Sequence, residues 1–290
     1  MVSIVRTRKR PSSQGIRSLP PQVDWTHPLN NGLALWYLAS HGNNGWGSRG
    51  VVDIARGRNG LGTGDREDGK PIWEVNPLDG RAQVGLWPFL RIEVGEQLRG
   101  VFNSATNFSV WVRGWFQTLE HDQRVFQQEN SAAGDYFQVA FRKTSSTRLE
   151  GTIFNQASTL ATAAFEDVAA FKMYNWCLAY DGNAGTLSTY TNGKLTNTVA
   201  APANAGISDP GSQAFVGSNA SDRDIYHMKG GIEEFRVVSR TYSAEEVAAY
   251  HQIVLRGWGD VLKPERTIPY FMPTPAAPPE PTGNPIVMII

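Results

Sequence analysis

Between about Asn31 and Gln252 the chain runs as short stretches rich in Val, Phe, Trp and Thr, punctuated by Gly, Asn and Asp. Side chains in these stretches alternate across two faces, which predicts antiparallel strands separated by turns. Strands are predicted at residues 32–38, 108–116, 124–127, 136–141, 149–154, 174–180, 213–217 and 230–238. In 108–116, Phe108, Val110, Val112 and Gly114 fall on one face and Ser109, Trp111, Arg113 and Trp115 on the other. Both faces are partly apolar, as a central strand in a two-sheet stack tolerates. Residues 187–199 predict a hairpin, because Asn192-Gly193 supplies the two positive φ angles of a type I′ turn. In 230–238, Ile232, Glu234, Arg236 and Val238 share one face and Glu233, Phe235 and Val237 the other, so the adjacent acids Glu233 and Glu234 are expected to point apart. A helix is expected over 245–255, where Val247, Ala248, Tyr250, His251 and Val254 cluster at helical spacing behind a Ser243/Glu246 capping box. These elements predict an all-β antiparallel sandwich closed by one short C-terminal helix.

The flanks have a different composition. Residues 1–29 carry basic charge with Pro11, Pro20, Pro21 and Pro28, and show no useful periodicity. After Trp258 the prolines crowd together, which removes amide donors and favours extended backbone. The expected division is an extended arm at 1–29, a body at 30–256 and a Pro-rich tail at 257–290. Lys+Arg 27 balances Asp+Glu 27, so nothing global points to nucleic acid or an anionic membrane, and weak self-repulsion suits a chain that ends in an assembly. No apolar run is long enough to span a bilayer. The N-terminus puts its charges after a very short apolar patch, the reverse of a secretory signal, so synthesis in a cytoplasm without export by that route is expected. Cys177 is the single cysteine, which excludes an intrachain disulfide and a multi-thiolate zinc site. Within its strand-like run it reads as a small buried apolar side chain.

Several of these passages, in this order, resemble the laminin-G-like, concanavalin A-like jelly rolls encoded by tailed bacteriophages and prophages. Residues 31–36 resemble the opening strand, 52–60 the Asp- and Gly-bearing loop after it, and 108–112 the central strand. Residues 178–182 with 190–194 resemble a strand pair and its tip, and 231–246 the closing strand and helix start. The lead-in at 24–33 and the exit at 262–271 are similar to those of jelly-roll proteins encoded beside phage structural genes. The resemblance implies a concanavalin A-like (laminin-G-like) β-sandwich, used for binding or scaffolding, in a virion component of head or tail.

Glycosidase relatives of that fold carry a Glu-x-Asp-x-x-Glu run, which this chain lacks. His27, His41, His121, His227 and His251 show no helical zinc spacing, and no Gly-x-Ser-x-Gly elbow occurs. The Gly-rich run 57–64 lacks the Lys-Ser/Thr ending of a phosphate loop and reads as a surface loop. No catalytic and no cofactor-binding residue is therefore expected. The resemblance allows Ca²⁺ at a sandwich rim, for which Asp53, Asp181, Asp209, Asp222 and Asp224 are the candidates, although Arg223 competes with the last two. Nine Trp are present, and Trp46, Trp73 and Trp87, in loop-like stretches, are candidate contacts for a glycan or a protein partner. Arg6, Arg8, Lys9, Arg10 and Arg17 in the arm, and Pro269, Tyr270 and Phe271 in the tail, are candidate contacts to neighbouring subunits. The arm lacks the aromatic interleaving that nucleic-acid binding favours.

The expected function is that of a non-enzymatic virion structural protein, a capsid decoration or other particle-surface protein. Its arms would hold the body on other virion proteins, such as the major capsid protein, in multiple copies. The alternative is a carbohydrate-binding module that recognises host-surface glycans. A glycoside hydrolase ranks last, for want of the acid spacing.

Overall fold

The structure is a computed structural model that describes residues 22–39, 50–55, 58–63, 72–79, 81–85, 91–98, 107–120, 122–128, 138–144, 147–154, 159–203, 214–218 and 226–263. In chain order the strands are β1 (Leu33–Leu38), β2 (Gly50–Asp53), β3 (Arg58–Thr63), β4 (Ile72–Val75), β5 (Ala82–Gly85) and β6 (Arg91–Glu93). They continue as β7 (Asn107–Phe116), β8 (Gln123–Gln128), β9 (Gln138–Lys143), β10 (Leu149–Phe154), β11 (Thr159–Ala164) and β12 (Tyr174–Asp181). The last four are β13 (Thr186–Thr191), β14 (Lys194–Ala200), β15 (Ala214–Val216) and β16 (Gly230–Val238). A one-turn helix α1 (Gly95–Leu98) precedes β7, and the longer α2 (Ala244–Arg256) follows β16.

The strands form two antiparallel sheets. The front sheet runs β14-β13-β12-β7-β16-β1, with the β4–β5 hairpin joined to the start of β16. The back sheet runs β11-β10-β9-β8-β15-β6-β3. Strand β2 links the two, pairing along β3 and meeting β1 at Tyr37↔Asp53. The Gly-rich run expected to be a surface loop is thus strand β3, held between β2 and β6. Glycine weakens a strand without forbidding it, and pairing on both sides decides the outcome here.

Two apolar clusters follow from the alternation in β7. Phe108, Val110, Val112 and Phe116 face the back sheet, where Phe126 of β8 meets Phe235 of β16 with ring centroids 5.0 Å apart. Trp111 faces the other way, and with Trp36, Cys177 and Ala179 it makes a second core under α2. Strand β16 is covered on both sides and is buried along its whole length. Its Gly230 and Gly231 allow that covering, because a Cβ on Gly230 would stand 1.9 Å from the Trp115 carbonyl oxygen and one on Gly231 2.3 Å from Gln83 Oε1.

Helix α2 begins where its cap predicted. The Ser243 hydroxyl accepts from the Glu246 amide at 3.2 Å, and the Glu246 carboxylate accepts from the Ser243 amide at 3.0 Å. A cap of this kind contributes about 1 kcal/mol. Gly257, at φ 96°, ends the helix. Val247, Tyr250, Ile253 and Val254 face the sheet, whereas Ala248, expected inward, is exposed and Ile253 takes its place. The predicted turn also holds: Asn192 and Gly193 have φ 52° and 81°.

The packed body extends past residues 30 and 256. Val23 bridges to Leu262, and the Lys263 amide donates to the Gln22 carbonyl at 2.8 Å. Val23, Trp258, Val261 and Leu262 are buried in the α2 cluster, so the boundaries expected at 29/30 and 256/257 fall inside segments that pack on the sandwich. Apolar residues at short spacing just outside the predicted body were the available signal.

Candidate functional site: the outer face of the front sheet

Two polar groups occupy the outer face of the front sheet, and their chemistry differs. The first lies beneath α2 and is sealed. Arg236 donates to the Leu29 carbonyl, to Asn30 Oδ1 at 2.9 Å and to the Tyr242 hydroxyl at 3.0 Å. Its guanidinium also stacks 4.7 Å from the Trp36 ring and 4.6 Å from the Tyr250 ring. Glu234 accepts from Trp36 Nε1 at 2.8 Å and from the Tyr250 hydroxyl. Burial pushes the Glu234 carboxyl above its ordinary range, against the lowering pull of Tyr250 and Arg236. Both side chains are fully buried, so this group joins helix, sheet and the 29–30 turn and meets no solvent.

The second group lies further along the same face, and Arg113 is its hub. Nε donates to Glu233 Oε2 at 2.6 Å, Nη1 to Asn175 Oδ1 at 3.2 Å and Nη2 to Asp79 Oδ2 at 2.8 Å. Asn76 donates to the other Glu233 oxygen at 2.6 Å, and Asn175 Nδ2 lies 2.9 Å from His251 Nδ1. The pairing Asn175↔Arg113 puts those two side by side on β12 and β7, while the β4–β5 turn brings Asn76 and Asp79 over them. Arg81 fixes that turn to α2 by donating to the Val254 and Leu255 carbonyls, both at 2.8 Å, and by stacking on Trp258.

Glu233 and Glu234 were expected on opposite faces, and here the structure corrects the sequence reading. Ile232 pairs with Gly114 and Glu234 with Arg113, so Glu233 is an extra residue in a β-bulge. The bulge turns both acids to the outer face, where Glu233 reaches Arg113 and Glu234 reaches Trp36. Burial raises the Glu233 carboxyl, with Arg113 and Asn76 opposing. Asp79 ends lower than an ordinary aspartate, since the Arg81 amide, Glu233 and Arg113 outweigh its own partial burial. His251 is also lowered, by burial first and then by the Arg113 charge. Its position on α2 against the sheet agrees with the rim or core placement expected for it.

Beyond Arg113 on β7 comes Trp115, whose Nε1 donates to Gln83 Oε1 at 2.6 Å. Phe171, in the turn between β11 and β12, stacks on Trp115 with centroids 5.6 Å apart. Sequence reasoning missed Phe171, which no periodic run contains. Its local setting, Glu166-Asp167-Val168-Ala169-Ala170 before it and Lys172 after it, carries no turn or periodic signal.

The other candidates divide plainly. Asp53 Oδ1 accepts from the Trp36 and Ala55 amides, both at 3.0 Å, and is buried. Asp181 Oδ1 accepts from the Asn183 and Ala184 amides in the loop before β13. Both calcium candidates therefore serve backbone turns, and among the described residues no three His, Cys, Asp or Glu side chains converge. Trp73 lies in β4, but its side chain is outside the described residues. Trp46, Trp87, Asp209, Asp222, Asp224, the arm residues Arg6, Arg8, Lys9, Arg10 and Arg17, and the tail residues Pro269, Tyr270 and Phe271 also lie outside them. Cys177 is fully buried, and burial alone pushes its thiol far up, which leaves it inert.

Residues 93–248 match the Laminin_G_3 family, described as the Concanavalin A-like lectin/glucanases superfamily. That is more than half of the 290 residues, and the chain belongs to this family. No curated protein sequence matches it. Among solved structures it is similar to domain 4 of AbnA, a GH43 extracellular arabinanase from Geobacillus stearothermophilus, solved with arabinotriose. Identity is 16%, coverage is 76% of this chain and 98% of that one, and the TM-score is 0.55. It is also similar to the binding domain of botulinum neurotoxin DC, solved with rat synaptotagmin II, at 12% identity, 77% and 52% coverage and TM-score 0.50. A third similar structure is from botulinum neurotoxin type C, whose cell entry is described as dependent on two ganglioside molecules, at 15% identity, 77% and 51% coverage and TM-score 0.50. The chain spans about half the length of these neurotoxin structures. At such identities the likeness concerns the fold.

Proposed function

We propose that this protein is a carbohydrate-binding module that holds a glycan without cleaving it. The family contains lectins and glucanases, and one observation favours the first: the paired acids of β16 are closed off. Hydrolysis needs two carboxyl groups open to one glycosidic bond. Glu233 is 1% exposed with one oxygen held by Asn76 and the other by Arg113, and Glu234 is 0% exposed beneath α2. Asp79 and Glu233 shift in opposite directions, as an acid and base pair would, yet they share one guanidinium that ties them to each other. The arabinotriose and gangliosides of the similar structures support a sugar as the class of ligand, by analogy of fold. The full chain applied to a glycan array is expected to retain a restricted set of oligosaccharides. An array without hits would remove this reading.

A second reading has one observation of its own. The Lys263 amide bonds to the Gln22 carbonyl, so the first and last described residues of the body lie side by side. Two Pro-rich flanks joined to neighbouring points of the body suit an anchor on one neighbour, and hence a virion structural protein made in the host cytoplasm and carried at the particle surface. Glycan binding and anchoring are compatible on one chain. Deleting residues 1–21 and 264–290 spares the Val23–Leu262 bridge and is expected to leave the body folded while abolishing co-sedimentation with particles. Truncated protein that still co-sediments would contradict the anchor.

A further inference from the structure

Phe171 combines three properties that a purely structural phenylalanine rarely shares. Its side chain is 56% exposed, although a ring of that size normally gains by burial. Its backbone sits at φ 56°, the left-handed region that bulky side chains avoid. The turn is nevertheless held firmly. The Phe171 amide donates to the Phe116 carbonyl at 2.8 Å, the neighbouring Ala170 bridges to Phe116, and the Ala169 amide donates to the Tyr174 hydroxyl at 2.8 Å. Functional sites are enriched in disfavoured backbone that the surroundings over-determine, and unlike Trp258, which shares the left-handed backbone but is buried, Phe171 shows its ring to solvent.

What is presented is an aromatic face with a rigid base. Trp115 lies beneath at 5.6 Å and an interplanar angle of 32°, and its own indole is fixed by Gln83. Among the described residues, its neighbour Lys172 and Gln117, next to the bonded Phe116, are polar and exposed, and the Lys172 ammonium sits 5.1 Å from the centre of the Tyr174 ring. A protein partner calls for a wider apolar patch with aromatic anchors at its centre. An exposed ring with polar neighbours among the described residues matches an amphipathic ligand instead, one with a C–H face and a hydroxyl rim.

We propose that Phe171, seated on Trp115, is the stacking platform for one pyranose or furanose ring of the bound oligosaccharide. The proposal rests on the carbohydrate-binding reading and locates it at residues other than Trp46, Trp73 and Trp87.

The test uses the full chain and an array of neutral and carboxylated oligosaccharides that includes arabinotriose. Phe171→Asn removes the ring but keeps a residue that tolerates the left-handed backbone. It is expected to weaken binding of the array hits about ten-fold or more at an unchanged melting temperature. Phe171→Tyr is expected to bind as the parent does. In the unmutated protein, the ring-proton resonances of Phe171 are expected to shift on titration with a hit oligosaccharide, a measurement that needs no variant. Hits that bind Phe171→Asn as well as the parent, or leave the Phe171 resonances unmoved, would overturn the platform while the carbohydrate-binding reading stands. An array with no hits would overturn both.

Discussion

Replacing Arg236 with alanine lowers the thermal midpoint by about 10 °C, the largest single effect expected on this face of the sheet. The guanidinium is 0% exposed and serves the Leu29 carbonyl, Asn30 Oδ1 and the Tyr242 hydroxyl at once. Its removal leaves Asn30 Oδ1 without this donor in a sealed space, leaves the Leu29 carbonyl with the Tyr242 hydroxyl alone, and takes from the nearby Glu234 carboxyl the positive charge that opposes its burial. Truncating one member of a buried charged network costs about 3–5 kcal/mol, because the remaining groups have no water to turn to. Arg256, whose side chain is 70% exposed in its pair with Asp260, is the control, and Arg256→Ala should change stability by no more than about 0.5 kcal/mol. Chemical denaturation of the two variants beside the parent measures the difference. A loss below about 1 kcal/mol for Arg236→Ala would contradict the sealed-network account.

Gly230→Ala is expected to cost about 3 kcal/mol or more and to reduce soluble yield. The added Cβ would stand 1.9 Å from the Trp115 carbonyl oxygen and 3.0 Å from its carbon. These are backbone atoms in the β7–β16 pairing, so no rotamer change relieves the clash, and the strands must separate. Gly231→Ala is milder, since its new Cβ meets the Gln83 side chain, which can swing away at the expense of its bond to Trp115. Gly259→Ala, with nothing within 4 Å, should be neutral. The expected ranking is therefore Gly230, then Gly231, then Gly259, and unfolding curves of the three variants check it. A Gly230→Ala protein as stable as the Gly259→Ala control would show that the two strands are not in such close contact.

Much of the scaffold was legible because it rests on local rules. The Ser243/Glu246 cap, the Asn192-Gly193 turn and the alternation of β7 each need only a few neighbouring residues, and each appears where the pattern put it. The outer face was harder to read because it depends on distant parts of the chain. A strict period of two sends Glu233 and Glu234 apart, and only the bulge opposite Gly114 and Arg113 brings them to one side. Asp79 and Asn76 join Arg113 through a hairpin whose docking depends on Arg81 meeting the end of α2. The burial of Arg236 follows from aromatic residues on β1, on α2 and in the connection before α2, and from a turn some two hundred residues earlier. Phe171 was invisible for a simpler reason: nothing in one sequence distinguishes an exposed turn aromatic from a buried one.

The central claim is that the body holds a sugar and leaves it intact. Saturation-transfer difference NMR on the full chain with the oligosaccharides retained by the array, followed by product analysis of the same samples after prolonged incubation, tests it most directly. The account predicts transfer to the ring protons of a bound sugar and an unaltered oligosaccharide at the end. Absence of transfer to every oligosaccharide, or the appearance of new reducing ends, would contradict it.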